Sequence, residues 1–399
     1  MPQGLLVKQR YLGNKGLIVL LTLLSSFVPM STDIYLPALP LMVKQFETSA
    51  SLINMTLIVF FLFYGASALV FGPLSDKYGR KPILSFGLLL YVISSILCAI
   101  AFSAYQLVIF RIFQALGSGS ISSATLAIVK DSYDEEERLT ILAIIQSMSS
   151  IAPIVAPVIG AFVIKFVGWR GVFIVLTLLG LASLLGVLLM SETNVLRNEN
   201  NVINALGRLG FVLKNLGFTY LLITFSLSSI AFMAYVSGSS YIFIEQFGLN
   251  EQQFSYYFAA NATVMISGPL LYVKLHKYFS NNFIIVSSFI IMTISGLLLF
   301  FFGSIAPIIF LLALIPSSIV SGIIRPPSTN YMFEQVEQDA GSVSSLMSCS
   351  FMFMGSIGMF IISFDWHNRV LIIGILMALT ALLSLSLWIR ILKKSLIKK

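Results

Sequence analysis

The chain alternates long apolar runs with short polar ones, and the apolar runs have the length needed to cross a bilayer. A helix spanning the hydrocarbon core needs ~20 predominantly apolar residues. Twelve such runs stand near 16–37, 51–73, 83–103, 105–129, 139–165, 170–190, 215–241, 253–274, 283–303, 305–331, 341–363 and 369–391. Several contain proline or glycine, which a lipid-embedded helix tolerates when its neighbours re-satisfy the freed backbone groups. The first run has no A-x-A-type exit and continues to full span length, so it is expected to be a helix and not a cleaved leader. The longest polar stretch, 191–214, divides the runs six and six. The expected organisation is an N-terminal bundle (1–190), a cytoplasmic linker (191–214) and a C-terminal bundle (215–399). The halves echo each other: Gly72-Pro73-Leu74 ends the second run of the first half, and Gly268-Pro269-Leu270 ends the second run of the other. The predicted fold class is an all-α polytopic membrane protein, with twelve transmembrane helices in two pseudo-symmetric six-helix bundles.

Charge adds an orientation. With the N-terminus inside, the cytoplasmic segments collect Lys8, Arg10, Lys15, Lys77, Arg80, Lys81, Lys130, Arg138, Arg197, Arg208, Lys214, Lys274, Lys277, Arg390, Lys393, Lys394, Lys398 and Lys399. The opposite side holds Lys44, Lys165, Arg170 and Arg369, while Arg111 and Arg325 lie inside runs. Cytoplasmic loops carry the excess of Lys and Arg, so both termini are expected in the cytoplasm. Composition agrees: 58% of the residues are hydrophobic and 10% charged, against ~25% charged in a soluble domain. The net charge of +8 is distributed over the ends of the runs. No basic patch with interleaved aromatics forms, so membrane lipids and not nucleic acid are the expected partners.

Little in the chain suggests catalysis. Cys98 and Cys349 fall inside runs without metal-ligand spacing, and His276 and His367 stand alone at helix ends or loops. No run carries a His-Glu metal set or a nucleophile–base pair, and no G-x-x-x-x-G-K-[ST] loop is present. The expectation is therefore no enzyme, no metal, no cofactor and no direct use of ATP. A receptor would need a sizeable soluble domain to relay its signal, and none is evident.

Chemistry concentrates in a few places. Residues 72–83 read as a short charged loop between the second and third runs. There Gly72 would let two helices approach closely, Pro73 would loosen the helix end, and Gly79 would permit a left-handed turn. Asp76 would cap a helix, and Arg80 and Lys81 would pair with an acid or a lipid phosphate. In Ser31-Thr32-Asp33-Ile34-Tyr35-Leu36-Pro37, Asp33 falls inside the first run, where an unpaired charge costs several kcal/mol. Such a group titrates, pairs or lines a wet cavity; otherwise it lies near the outer interface as a structural cap. Arg111, about two turns into the fourth run, needs a partner, and Asp33 is the other formal charge deep in that half. An arginine beside Asp33 would favour its charged form until substrate or a conformational change separates them; the alternative is a structural pair or a snorkelling side chain. Pro153 and Pro157 would bend the fifth run, with Ala156 and Gly160 forming a small-residue packing face. Arg325-Pro326-Pro327 would unwind the tenth run and expose carbonyls at a site for anionic or polar cargo, unless Arg325 pairs with an acid of its own half. Asp134-Glu135-Glu136-Glu137 reads as a solvated face and helix start. Tyr35, Tyr64, Gln114, Tyr235, Tyr256, Asn261 and Arg325 are the candidates for a substrate cavity.

These motifs resemble a known family. The Gly-Asp-Gly-Arg-Lys pattern of 72–83 is similar to the signature loop of the major facilitator superfamily. Residues 31–40 resemble the first-helix signature of the bicyclomycin-resistance type (Bcr/CflA) drug–proton antiporters, and 111–119 and 152–161 resemble further motifs of that branch. At 156 and 161, alanine stands where the fifth-helix antiporter motif has glycine. Some multidrug relatives carry a second acid two turns before the Asp33 position; here 23–27 read Leu-Leu-Ser-Ser-Phe. The resemblance implies a twelve-helix fold around a central cavity and a monomer in the bacterial inner membrane, with protons as the coupling ion. It implies Asp33 and Arg111 in proton coupling. It also implies a cytoplasmic latch of Gly72, Asp76, Gly79, Arg80 and Lys81, with Arg80 reaching Asp131 and Asp76 facing 339–342. The implied function is export of small amphipathic compounds by drug:proton antiport; the alternative is a dedicated exporter of a sugar, amino-acid derivative or siderophore.

Overall fold

Apolar runs become helices because a backbone in hydrocarbon must satisfy its own hydrogen bonds. The computed structural model describes residues 9–194, 202–336, 340–394 and 397. Among the described residues there is no strand. Twelve helical segments among them are long and apolar enough to cross a membrane. Spans 1–6 are Gly13–Gln45, Ala50–Tyr78, Arg80–Ala99, Ala104–Ser132, Glu137–Val167 and Trp169–Leu189. Spans 7–12 are Leu216–Gln246, Glu251–Leu275, Asn281–Phe302, Pro307–Gln335, Gly341–Ile362 and Arg369–Lys393. The predicted fold class is borne out.

The chain divides into two compact units, Met1–Leu206 and Gly207–Lys399. In the first, span 2 packs on span 4, span 3 on spans 4 and 6, and span 1 on span 5. In the second, span 8 packs on span 10, span 9 on spans 10 and 12, and span 7 on span 11. Adding six to each span number of the first set reproduces the second, which is the packing signature of a duplicated bundle. Within the stretch expected to be a linker, Val202–Leu213 is a helix. Ser191–Asn194 fold back on the first unit, where the Ser191 amide donates to Gln9 Oε1 at 2.8 Å.

Three local expectations are overturned. The charged segment 72–83 is almost entirely helix: span 2 runs through Pro73 to Tyr78, Gly79 alone turns the chain (φ 106°), and span 3 begins at Arg80. One proline removes one hydrogen bond, and ending the helix early would strand several backbone groups in a setting poor in water. Gly72 does not serve a close approach among the described residues, because a Cβ there would meet none of them within 4 Å. Pro326 and Pro327 do not unwind span 10, which is one helix from Pro307 to Gln335. Span 5 is one helix with Pro153 and Pro157 inside it, as expected of a run that the prolines bend and do not break.

Candidate functional site

Span 1 is not a single helix. It is built from Gly13–Ser25, Phe27–Asp33, a 3-10 turn Leu36–Ala38 and Leu39–Gln45. Asp33 ends the second piece, where the backbone ladder lapses. Its side chain is buried, 7% exposed, and accepts a hydrogen bond from Thr32 Oγ1 at 2.9 Å. Among the described residues, no ion pair reaches it. Span 5 presses on this break from outside: a Cβ on Gly160 would lie 1.7 Å from the Ile34 carbonyl oxygen. Glycine is therefore the residue that lets the two backbones touch beside Asp33. Ala156 and Pro157, one turn earlier, are buried, and Pro153 is half-buried.

Arg111 is fully buried and is not the counter-ion of Asp33. Its Nη1 donates to the Ser31 carbonyl at 3.0 Å and to Gln114 Oε1 at 2.6 Å, and its Nε to the Thr56 carbonyl at 3.4 Å. The rings of Phe60 and Tyr35 lie 4.3 and 5.0 Å from its guanidinium carbon. Ser31 belongs to the last turn of Phe27–Asp33. The cation thus sits at the negative end of a short helix, on carbonyls and π faces, which removes the need for a carboxylate. Nη2 is buried without a partner among the described residues.

Two of the cavity candidates belong to this knot. Gln114, fully buried, passes its amide to Ser95 Oγ at 2.7 Å. Tyr35, also fully buried, bonds Thr56 through its hydroxyl. Both are closed into the first unit and line no open wall. Ser31 Oγ shares a 2.6 Å bond with Tyr91 Oη, so spans 1 to 4 are joined by one polar network.

A second cluster lies where spans 2, 3, 4 and 6 end together. Arg80 Nε meets Asp131 Oδ2 at 2.8 Å, Nη1 pairs with Asp76, and Nη1 also donates to Ser75 Oγ at 2.7 Å. Asp76 is not a cap. Glu192 takes that place, accepting from the Arg80 and Lys81 amides at 2.9 and 3.1 Å, the first free N–H groups of span 3. Lys81 Nζ in turn donates to the Leu188 and Met190 carbonyls at the end of span 6. Asn194 Nδ2 reaches the Asp76 carbonyl at 2.8 Å. Sequence reasoning missed Glu192 because it stands in a polar stretch; the available signal was an acid at the exit of span 6, on the side of the basic hairpin. Asp339, expected opposite Asp76, lies outside the described residues.

The other cavity candidates are scattered. Tyr64 Oη donates to Ser122 Oγ at 3.1 Å, tying span 2 to span 4. Tyr256 is exposed. Asn261, buried, accepts from Ser318 Oγ at 2.7 Å, joining spans 8 and 10. Tyr235 is buried, its ring stacked on Phe258 at 5.8 Å. Arg325 is exposed on span 10 and takes part in no ion pair among the described residues.

Comparison with known proteins agrees with this architecture. A model of the Major Facilitator Superfamily matches residues 21–359. The chain is 26% identical over 351 residues to the uncharacterized MFS-type transporter YdgK of Bacillus subtilis, covering 86% of this chain and 87% of that one. It is 40% identical over 157 residues to a chloramphenicol resistance protein of Pseudomonas aeruginosa (39% of this chain, 38% of that one). It is 27% identical over 262 residues to a bicyclomycin resistance protein homolog of Haemophilus influenzae (64% of this chain, 65% of that one). The chain thus spans less than two thirds of the length of these two resistance relatives. Among solved structures, a peptide transporter POT superposes with a TM-score of 0.76 at 16% identity, covering 98% of both chains.

Proposed function

Because this chain belongs to the Major Facilitator Superfamily, we propose that it is a proton-coupled secondary transporter that exports small amphipathic compounds by antiport. It works as a monomer, multi-pass in the bacterial inner membrane with both termini in the cytoplasm. Relatives named for chloramphenicol and bicyclomycin resistance support a drug-like cargo.

The observation that carries this reading is Asp33: buried, without an ion pair among the described residues, and placed at a break in span 1. Discontinuous helices are where many secondary transporters form their substrate and coupling-ion sites. A bare carboxylate at such depth is costly, and taking up a proton removes that cost. Asp33 takes a proton while the site faces outward. Substrate binding with the site facing inward favours its release to the cytoplasm. Substrate and proton then compete for one electrostatic state, which couples their fluxes. Each proton moving down 100 mV supplies about 2.3 kcal/mol, equivalent to roughly a fifty-fold solute gradient. Arg111 holds the broken helix in register while Asp33 titrates, and the Arg80–Asp76–Asp131 cluster is the cytoplasmic latch.

Proteoliposomes with an imposed pH gradient test the assignment. Asp33→Asn is expected to abolish uphill export while leaving downhill exchange and the folded state intact. Undiminished uphill transport by Asp33→Asn rejects it.

A further inference from the structure

Span 6 ends at Leu189, and the residues that follow do not leave the first unit at once. Residues 191–194 lie across the turn between spans 2 and 3, and two charges are exchanged there. Lys81 Nζ donates to the Leu188 and Met190 carbonyls at 2.8 and 2.7 Å, closing the end of span 6. Glu192 accepts from the Arg80 and Lys81 amides, closing the start of span 3. The same carboxylate accepts from the Thr193 and Asn194 amides at 2.9 and 3.0 Å. Four backbone donors thus converge on one side chain, where a helix cap needs only one such bond.

Glu192 and Gly79 fit each other. A Cβ at position 79 would stand 2.6 Å from Glu192 Oε2, and φ there is 106°. A glycine in a one-residue turn is a loose joint, and the carboxylate seated against it takes up that freedom. The next residue is Arg80, whose guanidinium must meet Asp76 and Asp131 together while donating to Ser75. A planar fork serving several acceptors tolerates little displacement. Asn194 acts on the other side of the joint, where its Nδ2 donates to the Asp76 carbonyl at 2.8 Å. The backbones of Arg80 and Asp76 are therefore both held by the same four-residue segment, the first stretch of chain leading on to the second unit.

We propose that Glu192 and Asn194 are positioning residues: they seat the backbones of Arg80 and Asp76 so that the latch closes, and 191–194 form the strap that fastens it. This rests on the reading of the Arg80 cluster as the latch of an exporter. Both residues act through Arg80 and not on cargo.

The test uses the purified full-length chain in phosphatidylcholine nanodiscs, with its arginines labelled with nitrogen-15. The Arg80 Nε–H resonance is assigned by its absence from Arg80→Lys. Its exchange with water is slow while Nε meets Asp131 Oδ2 at 2.8 Å. Glu192→Gln keeps the size of the side chain but turns a donor toward a backbone N–H, and is expected to speed that exchange at least tenfold. Asn194→Ala is expected to speed it several-fold, so the assignment stays testable if Glu192→Gln fails to fold. Ser49→Ala removes a cap from the far end of span 2 and is expected to leave the exchange unchanged, which separates lost position from lost stability. In proteoliposomes, Glu192→Gln is expected to lower the maximal rate of uphill export at least threefold with KM unchanged. Unchanged exchange in both strap variants, an equal rise in Ser49→Ala, or an unchanged maximal rate overturns the proposal. If the exchange responds as expected while the native chain drives no solute flux under a proton gradient, the export reading fails and the strap stands.

Discussion

At position 160 a hydrogen in place of a methyl group decides whether span 5 can lie against span 1. Gly160→Ala would push a carbon to 1.7 Å from the Ile34 oxygen, so the helices must part. A loss of about 1–3 kcal/mol is expected, read as a lowered thermal midpoint in detergent, with efflux falling as Asp33 shifts. Arg111→Gln strips the Ser31 and Thr56 carbonyls and Gln114 of their donor. About 3 kcal/mol is expected from the broken charged hydrogen bonds, and Arg111→Lys should restore only part because it lacks the planar fork. Asp33 and Arg111 were legible in the sequence as charges inside apolar runs. Their relation was not. Arg111 is satisfied by backbone carbonyls, which every residue possesses, so no pattern of side chains announces them.

Between spans 2 and 3 a twelve-residue polar pattern collapses into a one-residue turn at Gly79. The glycine, the arginine and the acids were readable from their spacing; the cap was not, because Glu192 arrives from more than a hundred residues away. Glu192→Gln should cost about 1 kcal/mol, since a neutral amide at the start of span 3 loses the attraction of its dipole and two charge-assisted bonds. Hydrogen exchange at the Arg80 and Lys81 amides is the measurement, and protection there should fall. The latch makes a reciprocal prediction. Arg80→Asp and Asp131→Arg should each abolish efflux, and the double exchange should recover a substantial part of it; no recovery rejects the pairing as functional. Proline misled at this scale. Pro73, Pro326 and Pro327 carry a local signal to stop, and the low-water surroundings override it.

The two units repeat one construction. Gly160 against the Ile34 carbonyl has its counterpart in Gly358, whose Cβ would lie 1.9 Å from the Ile230 carbonyl oxygen. Trp169 bonds Gln45 at the end of span 1, and Asn368 bonds Gln246 at the end of span 7. Gly358→Ala should therefore lower the thermal midpoint about as far as Gly160→Ala, and the double mutant should lose the sum, because the contacts share no partner. Unequal or strongly non-additive losses would show that the likeness is geometric only. Span count, their division six and six, the duplication and the chemically costly positions were all set by the sequence alone. Hydrocarbon length and the expense of buried charge act on each segment separately, so linear order suffices to read them. Which groups answer those charges was decided only by tertiary structure: carbonyls for Arg111, and a distant carboxylate for the start of span 3. Each of those answers depends on distances between helices that packing sets and that no single stretch of sequence contains.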